Sequence, residues 1–302
     1  MRPSFPKTLF EFQRWFPTEE SCLKFLIQSR WPDGFVCPRC AHRDYYWIGT
    51  RNLFRCKKCN YDASVTAGTV MHRSRMSLKV WFHAAYLVAT HTPGMSALQL
   101  QRQLGLGSYP TAFAMLHKLR AGMVRGGRDR LNGTVEVDET YIGGKTKGMG
   151  HGYKGNKTIV VGATQRGGEA RLQVIDDNGR KTLHQFIREN TAPNTEAIYT
   201  DEWPAYNGIA DSDTRHETVN HSAEEWVRGD VHTNSVEGVW SLLKRSIVGS
   251  YHKVSVKHLD SYLDELEWRF NNRENPYLFR DTLLKLINSE NLEYKTLTKA
   301  KP

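Results

Sequence analysis

Three acidic segments and two cysteine pairs carry the chemistry that this 302-residue sequence can be read for. In TVEVDETYIGG, strand alternation puts Val135 and Val137 on one face and Glu136 and Asp138 on the other, a carboxylate opposite the apolar side. AIYTD ends an apolar strand on Asp201, at the C-terminal edge where function commonly sits. In HTNSVEGVWSLLKR, Asn234 and Glu237 are three apart and Glu237 and Lys244 seven apart. A helix of about 3.6 residues per turn brings all three near one face. Hard oxygen donors suit magnesium or manganese, and two such cations roughly 4 Å apart can activate an attacking hydroxyl and stabilise the leaving oxygen of a phosphodiester. Lys244, with Arg245 beside it, would then grip a phosphate. Glu136, His221 and His232 are expected to support the carboxylates from behind. Trp203, Tyr206, Trp240 and Trp268 suit core packing, with stacking on unpaired bases as the alternative.

The second chemistry is metal binding by thiolates. Cys37-Pro-Arg-Cys40 and Cys56-Lys-Lys-Cys59, separated by 15 residues, have zinc-ribbon spacing. One closed, structural zinc ion would fold a segment too poor in apolar residues to pack alone. Cys22 stands apart in an apolar helical stretch and is expected in a core.

Those side chains need elements to hold them. TLFEFQRWFPTEESCLKFLIQSRW reads as a helical lead-in with Thr18 as an N-cap. After the cysteine module come three helices, around LKVWFHAAYLVATH, SALQLQRQLGL and TAFAMLHKLRAGM. The last two suit a helix-turn-helix presenting Ser108, Tyr109, Thr111, His117, Lys118 and Arg120 to DNA, an ordinary helical hairpin being the alternative. A basic passage around Gly126 and Gly127 marks a boundary near residue 130. Beyond it the order is strand with Asp138, strands TIVVGATQ and RLQVI, helix KTLHQFIREN, strand EAIYTD, a short strand near HETVNH, then helices from Asn234 broken around GSYHKVS. The expected domains are therefore residues 1–68, 69–130 and 131–302. Lys plus Arg exceed Asp plus Glu by 42 to 32, a net +10 that favours a polyanionic partner. No apolar run approaches a membrane span, nor does the start resemble a secretory signal, so a cytoplasmic, nucleoid-associated protein is expected.

The succession of strand with Asp, hairpin, helix, strand with Asp and helix with a carboxylate is the ribonuclease-H-like arrangement, a mixed sheet with flanking helices. The sequence resembles the IS1595-type transposases, whose catalytic part is called the ISXO2-like domain, and is similar to the Merlin transposases. VEVDETYIGGK, IYTDEWPAYNGI, NHSAEEWVRGDVHTNSVEGVWSLLKR and YLDELEWRFNNR carry that resemblance, which covers nearly the whole chain. It implies a DDE-type reaction on double-stranded DNA, with Asp138 and Asp201 as the first two metal ligands, terminal inverted repeats and target DNA as partners, and an oligomer on DNA. The third ligand is either Asn234 or Glu237: Asn offers a neutral carbonyl, Glu a charge seven residues before Lys244. A non-catalytic DNA-binding regulator and a nuclease on the same fold are the competing readings.

Overall fold

The computed structural model describes residues 5–123, 129–143, 157–289, 292–293 and 296–297, so the basic passage around Gly126 and Gly127 lies outside the described residues. The chain forms two compact units, residues 1–124 with 274–302, and residues 125–273.

The first unit holds α1 (Leu9–Trp15), α2 (Glu19–Arg30), β1 (Tyr45–Ile48), β2 (Leu53–Cys56), β3 (Asp62–Ser64), α3 (Leu78–Thr90), α4 (Ala97–Leu104) and α5 (Tyr109–Met123). Helix starts follow local chemistry: the side chains of Thr18, Ser77 and Ser96 accept from the backbone N–H three residues on. The Glu19 carboxylate also accepts from the first N–H groups of α3, Leu78 (2.7 Å) and Lys79 (2.9 Å). Helix α4 stops at Gly105, whose φ of 61° is the left-handed cap a glycine supplies.

In the second unit β4 (Thr134–Ile142), β5 (Thr158–Gln165) and β6 (Ala170–Ile175) form an antiparallel meander. Helix α6 (Arg180–Asn190) crosses over to β7 (Ala197–Asp201), which lies parallel to β4, and β8 (Arg215–Val219) lies parallel to β7. The sheet order is β6-β5-β4-β7-β8, which is the ribonuclease-H-like order. One face buries Val135, Val137, Val161 and Ile198 against Leu183, Phe186 and Ile187 of α6. The other buries Val160 and Ala170 against Val236, Val239, Trp240 and Leu243 of α7 (Asn234–Ser246) and Leu259, Leu263 and Leu266 of α8 (Val256–Asn271). A single π-helical turn, Ile247–Tyr251, ends α7 and makes the break read from GSYHKVS.

Two boundaries are corrected: residues 1–68 and 69–123, read as parts of separate domains, lie in one compact unit, and the catalytic domain ends before residue 302. The sequence assigns residues 131–302 to a single domain, but α9 (Leu278–Asn288) joins the first unit. Phe279 of α9 packs on Phe5, Phe12, Phe16 and Tyr86, and a Cβ at Gly122 of α5 would lie 2.7 Å from Leu286. The apolar face of α9 thus completes an aromatic core that the N-terminal helices leave open. No helix among the described residues is long and apolar enough to cross a membrane.

Candidate active site and metal centre

Thiolates build the centre of the first unit. Each CxxC sits in a tight turn that a left-handed residue closes: Ala41 (φ 56°) donates its N–H to the Cys37 carbonyl and Asn60 (φ 56°) to that of Cys56. Phe35, Phe54 and Ala63 pack beneath the sulfurs. The Sγ atoms of Cys37 and Cys59 are 3.6 Å apart, those of Cys40 and Cys56 3.6 Å, and those of Cys40 and Cys59 3.4 Å. A tetrahedral zinc with Zn–S bonds of about 2.3 Å needs sulfur separations of roughly 3.8 Å, so the donor set fits that ion. Among the described residues these thiolates are the one group of three or more His, Cys, Asp or Glu side chains with all ligand atoms within 4.8 Å of one another.

In the second unit the sheet register brings the two aspartates together. Thr134 pairs with Ala197 and Glu136 with Tyr199 in the parallel β4–β7 ladder. Continued by two residues, that register sets Asp138 beside Asp201, on neighbouring strands roughly 4.8 Å apart and on the same face. Both carboxyls feel the crowding. Burial, then the charges of Asp201 and Glu139, push Asp138 up to about 7, against a hydrogen bond from Trp240 that favours the anion. Burial, with Glu139 and Glu202, pushes Asp201 up to about 6, although the Trp203 N–H donates to its Oδ1 at 3.0 Å.

Helix α7 lies over this face and is pinned to it at two points. Glu136 is fully buried and accepts from the backbone N–H groups of Ser235 (2.6 Å) and Val236 (3.2 Å), from the Ser235 hydroxyl (2.9 Å) and from Arg166 Nε (2.7 Å). His232 Nδ1 lies 3.2 Å from the same carboxylate. A strand carboxylate therefore caps the helix, whose own N-cap Thr233 makes no capping bond to the backbone. The second pin is Trp240, whose Nε1 donates to Asp138 Oδ2 at 2.8 Å. Room for its indole comes from Gly162, opposite Asp138 on β5, where a Cβ would stand 2.6 Å from the ring.

Between the pins, Glu237 Oε1 accepts from the Thr233 hydroxyl (2.8 Å) and lies 3.8 Å from His221 Nε2, and the charge of His221 in turn acts on Asp201. Around the helix axis Glu237 is about 60° from Trp240 and Asn234 about 120° from it, the latter toward solvent. Both are exposed, and Glu237 does not close with the two aspartates to the 4.8 Å spacing of the thiolates. Lys244 is exposed two turns beyond Glu237, while Arg245 Nε reaches back to the Ser241 carbonyl at 3.4 Å.

The residues read as DNA contacts on α5 divide. Arg120 is 1% exposed and donates to the Met95 carbonyl, just before α4, and His117 is equally buried. These two are corrected to structural residues. Lys118 is half-buried and donates to the Val70 carbonyl at 2.9 Å, whereas Ser108, Tyr109 and Pro110, at the helix start, are exposed. Of the four aromatic residues, Tyr206, Trp240 and Trp268 are core, but Trp203 is 43% exposed.

A zinc ribbon and a ribonuclease-H-like sheet with paired aspartates on adjacent strands are the parts of a transposase. Residues 130–271 match the ISXO2-like transposase domain and residues 17–62 the transposase zinc-ribbon domain. A protein of transposable element ISH50 from Halobacterium salinarum is 28% identical over 276 residues, 84% of this chain and 91% of that one. A transposase-like protein from Haemophilus influenzae is 32% identical over 101 residues, 33% of this chain and 80% of its own length. Among solved structures, the Mos1 strand transfer complex is a distant likeness, with 14% identity, a TM-score of 0.29 and coverage of 70% of this chain and 79% of that one. The chain belongs to the ISXO2-like transposases of the IS1595 group.

Proposed function

We propose that this transposase binds the terminal inverted repeats of its element and performs DDE-type cleavage and strand transfer, with Asp138, Asp201 and Glu237 as the metal-binding carboxylates. The observation that carries this reading is the aspartate pair itself: two neighbouring carboxyls held at about 7 and about 6 are an uncompensated acidic site. Hard divalent cations are what such a site accommodates. Magnesium or manganese, bound there as a pair, would lower the barrier to in-line attack on a phosphodiester by charge neutralisation on both oxygens.

The protein's own part is positioning. Glu136 and Trp240 fix the depth and rotation of α7, so that Glu237 faces His221, whose charge acts on Asp201, while Asn234 lies about 60° further around the helix from Trp240. Glu237 is therefore favoured over Asn234 as third ligand. Lys244, exposed on the same stripe, makes no ion pair with the described residues and would hold a phosphate next to the scissile one. Asp201 and Asp138 would release protons as cations bind, which couples metal affinity to rising pH. Joining two element ends calls for at least two copies of the chain on DNA, and the net +10 charge favours residence on nucleoid DNA.

Strand transfer with purified protein, magnesium and a duplex carrying the flanking repeat tests this. Joined products should vanish in Asp201→Ala and Glu237→Ala and persist, reduced, in Asn234→Ala. Loss in Asn234→Ala with retention in Glu237→Ala would exchange the two roles. Specific binding with no cleavage by the unaltered protein would move the chain to a DNA-binding regulator.

A further inference from the structure

The loop between β8 and α7 is tied down on every side and still holds an indole out to solvent. The Glu202 carboxylate, next to Asp201, accepts from the N–H groups of His221 (3.0 Å) and Ser222 (3.1 Å) and from the Ser222 hydroxyl (2.6 Å). Those bonds, the Ser222 hydroxyl first, hold Glu202 at about 2. Arg228 donates to the Thr218 carbonyl at 2.9 Å and exchanges backbone hydrogen bonds with Val231. Within this braced loop Trp226 is 58% exposed and Val227 51% exposed.

A lone exposed apolar side chain is ordinary on a protein surface. Trp226 is set apart by what it leans on. Its ring centroid is 4.7 Å from that of His221, the histidine that faces Glu237 Oε1 at 3.8 Å. Trp203, the second exposed indole, follows Asp201 by two residues and is fixed by a hydrogen bond from Nε1 to the Asn178 carbonyl at 3.2 Å. Two braced indoles thus flank the carboxylates. A duplex offers phosphates and groove edges to such rings, whereas a base drawn out of its stack offers a flat π-face of matching size.

We propose that Trp226, backed by His221, is a stacking platform for an unpaired nucleobase next to the phosphodiester that is cut. This rests on the acidic site being the place of strand cleavage, and the test separates the two. The probe is a duplex bearing the flanking repeat, with 2-aminopurine at nucleotides adjoining the cleavage position, bound in calcium and then cut in magnesium. Trp226→Ala should abolish the change in 2-aminopurine fluorescence seen with the unaltered protein and slow cleavage of fully paired DNA roughly tenfold. An abasic or mismatched nucleotide opposite that position should restore most of the rate, and Trp226→Phe should restore both signals. Equal fluorescence and equal rates in Trp226→Ala, or an equal slowing on paired and mismatched DNA, would overturn the platform alone. Absence of magnesium-dependent cleavage by the unaltered protein would overturn the acidic site and the platform together.

Discussion

Replacing Asp138 by Asn should stabilise the metal-free protein while destroying its activity. The aspartate rises from an ordinary 3.8 to about 7, first through burial and then through the charges of Asp201 and Glu139. An acid whose folded value exceeds its unfolded one costs nothing below about pH 4, becomes progressively destabilising between there and about pH 7, and exacts its full penalty above. At about 1.36 kcal/mol per pH unit the penalty is on the order of 4 kcal/mol, and relaxation of the site would cut this to about 2. Asn keeps the shape and can still accept from Trp240 Nε1. In chelator-treated protein at pH 8 the variant should therefore melt several degrees higher than the parent, with the gap closing near pH 4. Magnesium should raise the parent's melting temperature and leave the variant's unchanged. A variant that melts lower at pH 8 by an amount independent of pH would show that Asp138 is a satisfied structural group, and the reasoning would fail.

Glu136→Ala should cost about 3–5 kcal/mol in chemical denaturation, since it strands the Arg166 guanidinium and the first turn of α7. Removal of zinc, or Cys59→Ser, should unfold the ribbon and abolish repeat binding, with one zinc per chain measured by elemental analysis before and none after. Lys244→Ala should leave the melting temperature alone and reduce the salt slope of DNA binding by about one, whereas Arg120→Ala should lower the melting temperature first. Gly162→Ala should displace the Trp240 ring and reduce cleavage while leaving DNA affinity intact, measured side by side by gel shift and strand scission.

The strands and helices of both units were legible because their apolar periods are strong: VEVD, TIVVGATQ and AIYTD alternate or run apolar over several residues, and the cysteine spacing admits few other meanings. The pairing of Asp138 with Asp201 was legible as type and order, but their adjacency depends on a ladder register that no local pattern encodes. Two assignments failed for one reason. Arg120 and His117, which look like the polar face of a recognition helix, are buried by tertiary packing that no local pattern encodes, Arg120 reaching the Met95 carbonyl before α4. Trp226 was overlooked because an aromatic residue in a loop carries no period, and its exposure is visible only in three dimensions.

The cap on α7 has a bearing on when the enzyme becomes dangerous. Glu136 and the N–H groups it holds are separated by 99 and 100 residues. A helix start with no cap of its own frays until its distant partner arrives, and closing so long a loop comes late in folding. On an emerging chain, β4 leaves the ribosome well before α7 exists. The segment bearing Glu237 and Lys244 can settle only after the sheet beneath it has formed. If Glu237 completes the metal site as proposed, a partly made copy would hold its aspartates without that carboxylate and leave DNA uncut.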